Sequence, residues 1–240
     1  FSLWVILFFP ISILFLLFSF IKKLQSPKNF SVPIICVGNI YLGGTGKTPL
    51  ASEIFKITKS LGKNPAFVKK YYDYLDDEIT MLKKIGTTFF SKNRIEAIKS
   101  LLENKNDLAI LDDGFQDFSI NKNLSIVCFN QKQWIGNGFI IPSGPLREKL
   151  SALKRAHCVF INGNTDSRIE KEISKVNKFI PIYYSKYKPI NIDKFKNKRI
   201  IAFSGIGNPS NFYDLLRENN LVLIKVFTYP DHYHFTKKDL

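Results

Sequence analysis

The chain has 240 residues, enough for one or two domains with an ordinary core, and its 45% hydrophobic and 23% charged content excludes a disordered chain. Its formal charge is +15, yet only Arg94, Arg147, Arg155, Arg168, Arg199 and Arg217 are arginines among 35 basic residues. Base readout and tight phosphate forks favour arginine, and no basic block interleaves with aromatics, so composition argues against nucleic acid and for an anionic membrane surface.

Residues 3–21, "LWVILFFPISILFLLFSFI", carry no charge. As a helix this run spans roughly 29 Å at about 1.5 Å per residue, close to the hydrocarbon thickness of a bilayer. Lys22, Lys23 and Lys28 follow directly, which places the remainder on the cytoplasmic side. No small-residue cleavage site precedes the lysines, so a membrane anchor over 1–23, spanning or deeply embedded, is expected in preference to a removed signal.

"SVPIICVGN" is a continuous β-rich apolar run, as a strand buried on both faces of a parallel sheet requires. A glycine-rich turn and a helix over 47–61 follow. Further strands are expected at "AFVKK", "TTFFS", "DLAILDD", "LSIVCFN" and "HCVFING", with a helix at "RIEAIKSLLEN". Strands alternating with helices predict an α/β open, mostly parallel sheet of the P-loop kinase kind over 24–163. Beyond Gly163 the texture changes to a polar amphipathic helix, "NTDSRIEKEISKVNK", and a Tyr/Lys-rich connection. "RIIAFSGIGN" then restarts a strand–turn–helix pattern. A smaller second α/β domain over 164–240 is expected. The chain begins at Phe1 and stops at Leu240 inside a helix start, so that domain is expected to be incomplete. Cys36, Cys128 and Cys158 each sit inside an apolar run without a C-x-x-C spacing and read as buried strand thiols.

Within "GNIYLGGTGKTPL", the stretch from Gly43 to Thr48 holds most of the phosphate-loop pattern G-x-x-x-x-G-K-[ST], with Tyr41 where its first glycine would stand. Gly43, Gly44, Thr45 and Gly46 can turn backbone N–H groups around a phosphate at a helix N-terminus. Lys47 would reach the β- and γ-phosphates and Thr48 would ligate Mg²⁺, so ATP and Mg²⁺ are the expected cofactors. "DLAILDDGFQD" ends an apolar strand on Asp112 and Asp113, a Walker-B arrangement that delivers carboxylates to the metal; which of the two lies nearer is left open. In "GNGFIIPSGPLREKLSALKRA" a Gly/Pro-rich loop leads into a helix with Leu146, Leu150 and Leu153 on one face. Arg147, at its start, either belongs to a solvated amphipathic helix or meets an anionic substrate or the transferring phosphoryl. "GIGNP", 205–209, lacks the third glycine of a dinucleotide fingerprint and reads as a strand-to-helix turn.

In this order these stretches, together with "DDEITML", "ING", "FSGIGNPSNFYDLLR" and "PDHYHFTKKDL", resemble the tetraacyldisaccharide 4′-kinase family of lipid A synthesis over nearly the whole chain. The family carries a non-glycine residue at the position of Tyr41. The resemblance implies a bacterial inner-membrane enzyme with its catalytic part on the cytoplasmic side. It would transfer the ATP γ-phosphate to the 4′-hydroxyl of a tetraacyl glucosamine disaccharide 1-phosphate, with no obligatory protein partner. It also implies that Asp77 and His232 act together as the base for the sugar hydroxyl. D-D-G-F-Q is followed by Asp117 where the family usually has histidine. Two other readings are a membrane-associated P-loop ATPase, opposed by Leu42 where such proteins carry a signature lysine, and an inactive nucleotide-binding module.

Overall fold

The computed structural model describes residues 3–72, 76–231, 233 and 235–236, which fall into two units, 1–185 and 186–240. In the first, α1 (Leu3–Lys23) precedes β1 (Ile34–Gly38), α2 (Lys47–Ser60), β2 (Pro65–Lys70), α3 (Asp76–Ile85), β3 (Thr88–Ser91), α4 (Arg94–Glu103) and β4 (Leu108–Asp112). Then come β5 (Leu124–Asn130), β6 (Cys158–Asn162), α5 (Ser167–Val176) and β7 (Ile182–Ser185). The seven strands form one wholly parallel sheet in the order β3-β2-β4-β1-β5-β6-β7. This is the expected α/β architecture. The apolar runs of β1, β4 and β5 occupy its centre because helices cover both of their faces.

β1 lies between β4 and β5, and Val37 is in register with Asp112. That register sets the end of the phosphate-loop strand beside the end of the acidic strand, at the sheet's carboxyl edge where open α/β sheets bind ligands. Gly38 is required there by a close approach. A Cβ on it would lie 2.5 Å from Phe115 Cβ and 3.0 Å from the Phe115 backbone nitrogen.

The boundary after Gly163 is corrected. Residues 164–185 belong to the first unit, because α5 buries Ile169 and Ile173 in the main core and β7 pairs with β6. Trp134 Nε1 also donates to Glu172 at 2.9 Å, fixing α5 to the loop after β5. The second unit holds β8 (Arg199–Ser204), α6 (Pro209–Glu218) and β9 (Val222–Thr228), the two strands pairing in parallel. Tyr213, buried on α6, has its hydroxyl within 3.0 Å of Ser204 Oγ and also bonds the Phe227 carbonyl.

α1 lies against the first unit along its length. Near its middle, buried Ser12 donates to the Ile140 carbonyl at 2.9 Å and meets Ser143 Oγ at 2.8 Å. Ser143 Oγ reaches the Val5 carbonyl at 3.3 Å, and Lys23 pairs with Glu148 at 3.0 Å. The other side of α1, including Trp4, Leu7, Leu14, Phe18 and Ile21, is exposed. It is the one helix among the described residues long and apolar enough to cross a membrane.

Candidate active site

The loop after β1 is shaped by glycine conformation and by one buried amide. Gly43 (φ 124°) and Gly46 (φ 89°) occupy left-handed backbone that other residues rarely adopt. Asn39, fully buried, donates through Nδ2 to Thr45 Oγ1 at 3.0 Å and the Gly43 carbonyl at 3.4 Å. No side chain caps α2 at Gly46 and its first turn carries no acid. The N–H groups and the positive end of the helix dipole therefore face the loop without a built-in anion, which suits phosphate.

Tyr41 stands outside the cradle. It forms an antiparallel bridge with Leu146, Leu42 N donates to the Pro145 carbonyl at 2.7 Å, and Arg147 N donates to the Ile40 carbonyl at 2.8 Å. The first glycine position of the general pattern is thus an extended residue pairing with the G-P-L-R segment. The same pairing replaces the helix start expected at Arg147. Leu146 is held in bridges to Tyr41 and Ile140, and only a short 3₁₀ turn, Leu150–Arg155, follows.

The two acids at the end of β4 divide their work. Asp112 is fully buried; its Oδ2 accepts from Thr48 Oγ1 at 3.1 Å and from Lys69 Nζ at 2.6 Å, and its Oδ1 has no partner among the described residues. Asp113, in left-handed backbone (φ 58°), turns to the basic side. Arg147 Nη1 donates to both its oxygens at 2.9 Å, and Lys47 Nζ lies 3.9 Å from Oδ1. Burial alone would raise the Asp113 carboxyl, but Lys47 and Arg147 outweigh it and hold it below the ordinary carboxylate range.

Sequence reasoning missed the residues that frame these groups. Arg94, nearly buried on α4, donates to the Asp113 carbonyl at 2.7 Å and to Asp117 Oδ2 at 3.2 Å. Asp117 also accepts from Ser119 Oγ at 2.6 Å; burial pushes its carboxyl up, and Ser119 and Arg94 bring it below the usual value. The residue at the usual histidine position thus braces the D-D-G-F-Q turn. Gln116 Nε2 donates to the Asn39 carbonyl at 2.7 Å and to Glu148 Oε1 at 3.2 Å. Glu148, 3% exposed, pairs with Arg155 at 2.5 Å and Lys23 at 3.0 Å. The contacts of Arg94 with Asp117, of Gln116 with Asn39 and Glu148, and of Lys23 with Glu148 join distant stretches of chain, so no local pattern marks them. The side chain of Asp77 and the whole of His232 lie outside the described residues; the backbone of Asp77 is in the first turn of α3.

The profile of the tetraacyldisaccharide-1-P 4'-kinase family matches residues 4–240. The chain belongs to this family. The tetraacyldisaccharide 4'-kinase of Pelagibacter ubique (strain HTCC1062) is 44% identical over 236 residues, covering 97% of this chain and 75% of that protein. That of Rickettsia canadensis (strain McKiel) is 35% identical over 254 residues, covering 98% and 76%. The crystal structure of LpxK from Aquifex aeolicus in complex with ATP superposes with a TM-score of 0.70 at 23% identity, covering 97% of this chain and 84% of that one. That likeness shows the fold. As a member of this kinase family the chain is an enzyme, and its phosphate loop and acidic strand end stand together at one sheet edge.

Proposed function

We propose that this kinase transfers the γ-phosphoryl of ATP to the 4′-hydroxyl of a tetraacyl glucosamine disaccharide 1-phosphate in lipid A biosynthesis. The observation that carries the reading is the joining of Lys47, Thr48, Asp112, Asp113 and Arg147 at the end of β1 and β4. The curated relatives bear the name of that reaction. Gly43 to Gly46 would wrap the phosphates and Lys47 would bridge the β- and γ-phosphates. Arg147, prepositioned by Asp113, would stabilise charge on the transferring phosphoryl.

Among the described residues no three metal-ligating side chains converge, but Thr48 and Asp112 fit a nucleotide-borne Mg²⁺. The buried Oδ1 of Asp112 lacks a partner among the described residues, and a hydroxyl with a carboxylate is the hard-oxygen set this ion prefers. Bound there, Mg²⁺ would neutralise charge on the nucleotide's phosphates. In the transfer itself the sugar oxygen bonds to γ-phosphorus as the bridging bond to the β-phosphate breaks, and ADP leaves. The hydroxyl proton goes to Asp77, assisted by His232, an assignment that rests on the family motifs "DDEITML" and "PDHYHF".

A substrate with four acyl chains stays in a bilayer, and α1 supplies the matching surface. Its exposed face is apolar, while its other side is hydrogen-bonded to the segment that carries Arg147. A helix so attached embeds in the cytoplasmic leaflet of the inner membrane with the kinase body alongside it. A groove of about 410 Å³, lined by Ile13, Leu17 and Phe20 of α1 and by Lys149, lies beneath it. With γ-labelled ATP, Mg²⁺ and the disaccharide 1-phosphate, the protein should yield a labelled bis-phosphorylated lipid, and Lys47→Ala should abolish it. ADP release without labelled lipid would favour an ATPase instead.

A further inference from the structure

Lys69 is a buried cation that neither the phosphate loop nor the proposed transfer step uses. β2 carries it to the carboxyl edge of the sheet, 3% exposed. Its ammonium lies 2.6 Å from Asp112 Oδ2 and also pairs with Glu78 in the first turn of α3. The Asp112 oxygen it holds is the one that accepts from Thr48. Desolvating three ionised groups is expensive, and apolar residues of similar volume often stabilise such a site equally well. Stability alone is therefore a poor reason for an ammonium here.

The geometry points to Lys69 as a positioning residue that competes with the divalent cation for the Asp112 carboxylate. This rests on the reading of Asp112 as a metal ligand. With Lys69 in place, an internal positive charge holds the Asp112 carboxylate, and among the described residues Asp112 has only Oδ1 left without a partner. The nucleotide-free enzyme then holds a divalent ion poorly, and the metal comes in with ATP, whose phosphates supply the remaining ligands. The same ammonium ties the first turn of α3, where the backbone of Asp77 lies, to the end of β4. Without it, the Asp112 carboxylate would lose the positive charge at contact distance, which opens it to a divalent ion.

The test is Mn²⁺ binding to the full chain, read from the electron paramagnetic resonance signal of free Mn²⁺, with and without ATP. Without nucleotide, Lys69→Met is expected to bind Mn²⁺ at least about tenfold tighter than the wild type, because a positive charge in contact with the ligand has gone. Lys69→Arg should behave as the wild type. A merely structural lysine would move affinity the other way, since its loss would scatter the carboxylates. Mn²⁺ binding in Lys69→Met equal to or weaker than wild type, with ATP-dependent binding intact, overturns the role of Lys69 and leaves Asp112 as a ligand. Absence of ATP-dependent Mn²⁺ binding in the wild type overturns both. Should Lys69→Met fail to fold, Glu78→Gln serves instead. It leaves the ammonium to Asp112 alone and should weaken Mn²⁺ binding severalfold, and unchanged binding counts against the proposal.

Discussion

Replacing Gly38 with alanine tests how the phosphate loop and the acidic turn depend on each other. The added Cβ would sit 2.5 Å from Phe115 Cβ, 3.0 Å from its backbone nitrogen and 3.3 Å from its Cα. Carbon atoms in good contact are about 3.5–4.0 Å apart, so roughly 1 Å must be recovered. Phe115 is 1% exposed and two of the three atoms are backbone, so a rotamer change cannot supply it. Overpacking of this kind costs about 1–3 kcal/mol. For a chain of this size that is a fall in Tm of roughly 2–12 °C. The strain also reaches the site. Asp113 N donates to the Val37 carbonyl at 2.9 Å, and Asp112 and Asp113 immediately precede the displaced turn. A shift that costs the bound nucleotide about 1.4 kcal/mol weakens ATP roughly tenfold. Thermal melts with and without MgATP, with ATP titrations, read both effects. Gly62→Ala is the control: nothing lies within 4 Å, but its φ of +79° strains any side chain. It should lower Tm and leave ATP affinity alone. A Gly38→Ala protein with wild-type Tm and ATP affinity would show that the loop and the turn are not coupled through this contact.

Arg147→Lys should lower kcat roughly 10²–10³-fold with a small change in the KM for ATP, since an ammonium cannot reproduce the guanidinium's geometry at the phosphoryl; steady-state kinetics decide it. Glu148→Gln should loosen α1 from the body, because it removes the buried charge that Lys23 and Arg155 share; faster proteolysis within residues 24–30 and weaker vesicle binding are the expected readouts. Burial pushes the Cys36 thiol up to about 11 and Cys128 higher still, so both stay protonated at neutral pH. Iodoacetamide should label them only on unfolding, whereas half-buried Cys158 is open to it in the native protein; rapid native labelling of Cys36 or Cys128, located by peptide mass spectrometry, would contradict the packing. The Asp113 carboxyl is held below its unfolded value, so its stabilising contribution is present above about pH 4 and disappears as pH falls through the folded value. Melts of Asp113→Asn across that range should show a shallower acid slope than the wild type.

The sheet was legible wherever burial on both faces forced a continuous apolar run, as in β1, β4 and β5. The loop and the Asp112-Asp113 pair were legible because their chemistry needs fixed spacing next to a strand end. What could not be read locally depends on the sheet's register or on distant pairing. α5 looked like the start of another domain because its apolar residues, Ile169 and Ile173, are few, and only the finished sheet shows where they pack. The segment after Gly144 has a helical spacing of leucines, but pairing with Tyr41 claims its backbone first. Lys69 lay in a run read simply as strand, and its role emerges only when Asp112 and α3 are placed around it.

As proposed, the chain phosphorylates a membrane-resident sugar and does so at one position. Tandem mass spectrometry and ³¹P NMR of the lipid product test it most directly, using ATP, Mg²⁺ and the tetraacyl disaccharide 1-phosphate. A single added phosphoryl on the 4′-oxygen is expected, formed in step with ADP and lost in Lys47→Ala. ADP formed at the same rate without the lipid, or a phosphate on any other oxygen, would contradict it.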